Sequence, residues 1–241
     1  MKSLSKALLL CATIVGFSST AAQAASFKAD IGTLNNSGVT GTALLNLSED
    51  KKTLTVTTTA TGLEINQPHV QHIHGLFSDS GAIADSMTPT LANDADGDGF
   101  IELREGAPVY GPIVLPLETI TTADGSASIT QTYDLSDPSI FGSNPVTGES
   151  FTAEDLMPLS FREVVIHGRS VAPGVGAGTP NEIDGTGGYI AVLPVAAGEI
   201  VAVDEAASVP EPSAIASLVL LGLVGSFSLR RRSQNLEATG E

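Results

Sequence analysis

The chain has 241 residues, with 27 acidic against 11 basic side chains, a formal charge of -16, one cysteine and no tryptophan. Acidity of this size excludes the basic surface that phosphate backbones require, so no nucleic-acid partner is expected. With 42% hydrophobic and 16% charged residues the chain is too apolar for a disordered acidic tail, and its 25 glycines among many Thr, Val and Ile favour strands joined by tight turns.

Residues 1–24 read as a secretory signal peptide. Lys2 and Lys6 supply the positive start, Ala7 to Phe17 the apolar core, and Ala22-Gln23-Ala24 the small-residue cleavage site for signal peptidase. Cys11 lies inside this segment, so the mature chain has no cysteine and must draw its stability from a packed core or from metal ions. The working region, residues 25–208, carries six basic against 24 acidic residues, a charge of -18.

Strand signals then recur. Candidates are Ser26–Gly32, Val39–Leu47, Lys52–Ala60, His69–Phe77, Val109–Leu117, Ser126–Leu135, Glu163–His167 and Tyr189–Val195, separated by Gly, Pro, Asn and Asp punctuation. In the third, Leu54, Val56, Thr58 and Ala60 share one face and four threonines the other, the period of a half-buried antiparallel strand. A single helical turn is expected at Thr152–Met157, with Thr152 as N-cap and Asp155 three residues on. This pattern predicts an all-β fold, a single Greek-key β-sandwich with long loops.

Three of the four histidines fall in Gln67-Pro68-His69-Val70-Gln71-His72-Ile73-His74-Gly75. On a strand His72 and His74 share a face while Ile73 points away, and His167 on a later strand can join them if the two strands are neighbours. Three imidazoles suit Cu or Zn; the same residues can equally serve as hydrogen-bonding groups in a buried polar corner. His69 has the opposite parity and is expected in a loop.

The stretch from Asp94 to Glu105 fits a calcium loop without a gap. Asp94, Asp96 and Asp98 take positions 1, 3 and 5, Gly99 the sharp turn, Phe100 offers a carbonyl, and Glu105 closes the loop at position 12. Together with Glu102 these acids concentrate charge that a hard dication such as Ca2+ neutralises; the alternative is a solvated acidic turn. The flanking prolines predict a loop set into a β-protein, without the long helices of an EF-hand. Further on, Gly174 to Gly188 is glycine-rich but lacks the Lys-Ser/Thr of a phosphate loop, and it is expected to cover one end of the sandwich near His167.

The chain closes with Pro210-Glu211-Pro212, an apolar run from Ala214 to Leu229, and Arg230, Arg231 and Arg232, followed by the polar residues 233–241. The order reads as a rigid spacer, a short membrane helix and a positive cytoplasmic stop. Residues 209–232 resemble the PEP-CTERM protein-sorting signal of Gram-negative bacteria. That resemblance implies an exported protein, transiently anchored in the inner membrane, cut by an exosortase-type enzyme and delivered to the outer surface or extracellular matrix, with matrix or polysaccharide as its candidate partner.

His72-Ile73-His74-Gly75, behind a Thr-rich strand and the Gly62-Leu63 turn, resembles the signature of CHRD (chordin-type) domains. Val164-Val165-Ile166-His167-Gly168 and the later Gly-rich loop and strand are similar to the end of Cu/Zn superoxide dismutases, implying an immunoglobulin/superoxide dismutase-like sandwich with copper on His72, His74 and His167. The departures are definite. No further histidine lies between His74 and His167 to bridge to zinc, no cysteine supplies the disulfide, and Gly187-Gly188-Tyr189 stands where those enzymes place a guiding arginine. The leading expectation is therefore a surface-directed metal-binding protein with a binding or structural role. A copper-only dismutase-like oxidoreductase competes with it, and a three-histidine zinc hydrolase is the weaker third reading.

Overall fold

A computed structural model describes residues 24–203. The expected signal segment, apart from Ala24, and the sorting tail with its membrane helix lie outside them; among the described residues no helix is long and apolar enough to cross a membrane.

Among the described residues nine strands and two α-helices follow in chain order: β1 (Ala25–Thr33), β2 (Thr40–Leu47), β3 (Thr53–Thr61), β4 (Gln71–Phe77), β5 (Ile83–Ala84), α1 (Leu103–Tyr110), β6 (Ile113–Pro116), β7 (Ser126–Asp134), α2 (Ala153–Leu156), β8 (Arg162–Val171) and β9 (Gly188–Ala202). All pairings are antiparallel, in the order β5-β4-β8-β9-β1-β2-β3-β7, with β6 also on β4. The β3-to-β4 and β7-to-β8 connections cross from one half of the sheet to the other, as in a Greek key.

One core joins the halves. Alternation on β1, β2 and β3 sends Ala29, Ile31, Leu45, Leu54 and Val56 inward, where they meet Ile73, Leu115, Val164 and Ile166 from β4, β6 and β8. The period-2 reading of the third strand holds, since Leu54, Val56, Thr58 and Ala60 are all buried. The 15-residue β9 serves both halves, pairing with β8 through Gly188–Glu199 and with β1 through Ala196–Ala202.

The expected helical turn forms as α2, where the Thr152 hydroxyl accepts from Asp155 N and the Asp155 carboxylate accepts from Thr152 N. One expectation needs correction: the strand expected from Val109 starts only at Ile113, because Val109 and Tyr110 belong to α1, a helix of eight residues that begins inside the acidic loop and is short beside those of an EF-hand. Gly106 and Pro108 are poor helix formers, by about 1 and 3 kcal/mol in helix interiors. Packing overrides them: Tyr110 and Ala107 join Leu34, Ile101, Val165 and Ala197 in a second apolar cluster, outside the sandwich core. Gly106 is required there, because a Cβ would collide with the Tyr110 ring.

Candidate metal centre

On β4, Ile73 enters the core with no exposed surface, and alternation places His72 and His74 on the opposite face. Register brings β8 beside them: His72 lies opposite Val165 and His74 opposite Glu163. The β8–β9 register shifts on both sides of His167, and β4–β6 shifts between Ile73 and His74. Such bulges re-aim side chains. Gly168, with φ +106°, permits the one beside His167, where a Cβ would strike the Tyr189 hydroxyl.

The three rings converge. Their centroids lie 5.2 to 5.7 Å apart, and one ligand nitrogen from each of His72, His74 and His167 falls within 4.8 Å of the others. His74 Nδ1 donates to the Gly111 carbonyl at 2.8 Å, and His167 Nδ1 donates to the Val192 carbonyl at 2.8 Å. Those bonds place each proton on Nδ1 and leave Nε2 with its lone pair. His74 Nε2, His167 Nε2 and His72 Nδ1 are all buried without a hydrogen-bond partner. Unpaired buried polar atoms are costly, and three of them on rings whose centroids lie within 5.7 Å of one another make a candidate site for an electrophile.

Burial holds all three rings neutral. It lowers His72 to about 3 and His167 to about 4, and pushes His74 well below the usual imidazole range, with repulsion from His167 adding to the effect at His72 and His74. His72 is the partly exposed member of the three. Tyr110 packs its ring 4.6 Å from His74 and buries a hydroxyl that has no partner. Burial and the nearby Glu182 carboxylate raise the Tyr110 phenol above its ordinary range.

His69 stands apart from the trio. It lies outside the strands, before β4, as expected, but it is held there: it bridges to Ile120, is fully buried, and faces the His167 and Glu64 carbonyls with its two ring nitrogens. Arg169, the cation nearest His167 in sequence, donates to the Asn35 carbonyl and lies over the Phe100 ring at 5.8 Å.

The acidic loop closes on itself. Asp94 accepts from Gly97 N at 2.7 Å and Gly99 N at 2.9 Å, Asp98 from Phe100 N at 2.8 Å, and Glu105 from Ala95 N at 2.7 Å. Two overlapping carboxylate sets result: Asp94, Asp96 and Glu105, and Asp96, Asp98 and Glu102, each with ligand atoms within 4.8 Å. Asp98 and Glu105 do not share a set, and Glu102, absent from the expected ligands, takes a place beside Asp98. Its position 9 in the loop was the available signal. Burial raises Asp98 and Glu102 above the ordinary carboxylate range, and the neighbouring acids add to the shift. Asn35, at φ +53°, grips the loop from outside by accepting from Ile101 N at 2.7 Å and donating to Ile101 O at 2.8 Å and to Pro194 O at 2.9 Å.

Residues 208–232 match the PEP-CTERM protein-sorting motif, covering the Pro-Glu-Pro, apolar run and arginines noted above. No curated protein matches the chain in sequence. Among solved structures, the Cu(II) form of Candida albicans superoxide dismutase 5 is similar over 76% of this chain and 95% of its own, at 15% identity and a TM-score of 0.33. A likeness that distant carries no weight for the chemistry of the site. The tail match is specific: this chain ends in a PEP-CTERM sorting signal, which marks an exported protein handled by an exosortase.

Proposed function

We propose that the protein is an exported, surface-directed metal-binding β-sandwich of CHRD type that holds Cu or Zn on His72, His74 and His167, in a binding or structural role at the cell surface or in the extracellular matrix. The observation that carries this reading is a cluster of three histidines, each with a buried, unpartnered nitrogen, that bring one ligand nitrogen apiece within 4.8 Å of the others. Neutral imidazoles suit both metals, and at equal availability the first-row order favours Cu(II) over Zn(II). The Gly111 and Val192 carbonyls act as orienting groups, fixing tautomer and ring direction before an ion arrives. For the acidic loop we propose Ca2+ on Asp94, Asp96, Asp98, the Phe100 carbonyl and Glu105, supported by its clustered carboxylates and by the turn that Gly99 closes.

A copper-dependent oxidoreductase is the second reading, for which the partial exposure of His72 is the supporting observation. Copper would supply one-electron chemistry, and the chain's own part would be to hold three neutral donors. Arg169 is committed to Asn35 and Phe100, and the -18 charge of residues 25–208 repels a small anion. Those features favour binding over turnover of superoxide.

Metal analysis of the purified protein, with Co2+ as a spectroscopic probe, tests the site. One equivalent should give a visible band of low-coordinate cobalt that His74→Ala and His167→Ala abolish. A wild-type protein that shows no such band, or a band that survives both substitutions, refutes the three-histidine centre. Superoxide turnover by the copper-loaded protein, lost in His74→Ala, would move the conclusion to the enzyme.

A further inference from the structure

We infer that the acidic loop is a cation site completed by Glu102, and that its occupancy organises the three-histidine pocket. The inference rests on the calcium reading of the loop and adds to it a ligand and a consequence for the second site.

Glu102 is the observation that points to a ligand. It has no exposed surface; one carboxylate oxygen accepts from Ile183 N at 2.5 Å, while Oε2 is buried and unpartnered. Asp98 Oδ2, in the same set of three carboxylates, is also buried and unpartnered. Solvated acids have no reason to sequester such oxygens from water; a cation bound between them supplies the missing partner. Asp96 belongs to both carboxylate sets, so one hard ion drawing on both would join the two ends of the loop.

Three connections lead from the loop to the histidines. Glu105 sits in the first turn of α1, whose far end supplies the Tyr110 ring against His74 and the Gly111 carbonyl that fixes the His74 tautomer. Glu102 and Asp96 hold Ile183 N and the Asn181 amide of the glycine-rich segment, which runs into β9 and so to the Val192 carbonyl that orients His167. Asn35 links the backbone of Ile101 in the loop to Pro194 in β9, two residues from the Val192 carbonyl that orients His167. Without a cation, repulsion among the carboxylates works against all three connections. With one, the groups that aim His74 and His167 are fixed in place. A free-energy coupling of this kind is reciprocal.

The test is a Co2+ titration of the purified protein, stripped of metal and then desalted free of chelator, read by the visible band of the histidine site, with saturating Ca2+ and with no added Ca2+; Ca2+ binding is followed separately by calorimetry. Calcium should tighten Co2+ binding by about 10-fold, within the usual range for coupled sites. Glu102→Gln, which keeps the acceptor for Ile183 N, should weaken Ca2+ binding at least several-fold and abolish the enhancement. Asp98→Asn serves as the second variant if Glu102→Gln loses its cooperative melt. If the wild type binds no Ca2+, the calcium reading itself fails. If Ca2+ binds but Co2+ affinity is the same with and without it, the coupling fails and the calcium reading stands. If both variants fold and bind Ca2+ as the wild type does, Glu102 and Asp98 are not ligands.

Discussion

At the scale of single residues, what distinguishes the histidine cluster from a satisfied polar corner is the division of labour within each ring. His74 and His167 each give one nitrogen to a carbonyl and keep the other free, whereas His69 has a carbonyl beside both. The pairing of His72 with His74 was readable from spacing alone. Tautomer was not, because the orienting carbonyls belong to Gly111 and Val192, 37 and 25 residues from the rings they hold. Glu163, on the same strand as His167, gives a prediction with a definite sign. Burial lifts its carboxyl from 4.5 to about 8, against a Thr88 hydroxyl bond that pulls it down. The folded state therefore keeps a proton that the unfolded chain releases from about pH 4.5 upward. This contribution to stability falls between about pH 4.5 and 8 and is fully lost above that. Glu163→Gln should remove that fall, gaining on the order of a few kcal/mol over wild type at pH 8.5 and little at pH 4. Urea denaturation at the two pH values measures it, and equal gains at both would refute the assignment.

Among the elements, α1 shows where local rules and tertiary packing part. Propensity argues against a long helix through Gly106-Ala107-Pro108, and none forms, but it does not reveal the short one that the apolar cluster under Tyr110 and Ala107 holds in place. The bulges around His167 were equally illegible, since register depends on β9 as much as on β8. The strands themselves were legible because their alternation is set by one shared core. Gly111 ends α1 with φ +84°, and a Cβ there would collide with the Gly75 carbonyl. Gly111→Ala should therefore displace the carbonyl that holds His74, weakening Co2+ binding by at least 10-fold and destabilising the domain by about 1–3 kcal/mol. Tyr110→Phe is the opposite case. It removes a buried hydroxyl without a partner while keeping the ring on His74, so the melting temperature should hold or rise by a few degrees. A drop of several degrees would mean that the hydroxyl has a partner in solution.

For the whole molecule the governing quantity is charge. Residues 25–208 carry -18, yet among the described residues the one ion pair is Lys28 with Asp30, and Arg162 donates instead to main-chain carbonyls of Ala84, Asp155, Leu156 and Phe161. Self-repulsion of this size is relieved by monovalent salt in a graded way and by a bound dication at a definite stoichiometry. The two reliefs are separable. At a free Ca2+ concentration about 100 times its dissociation constant, one site contributes about 2.7 kcal/mol, which for a domain of this size is a melting shift of roughly 5–10 °C. Chelation at fixed ionic strength should lower the melting temperature by that amount, whereas added sodium chloride should raise it smoothly and narrow the gap only in part. Asp96→Ala should remove most of the chelator effect, because Asp96 is the carboxylate common to both sets. It should leave the response to sodium chloride nearly intact, since one charge among 24 acids changes the overall repulsion little. Identical melting curves with and without chelator would show that the acidity of this domain is a solvated surface and that its stability rests on the apolar core alone.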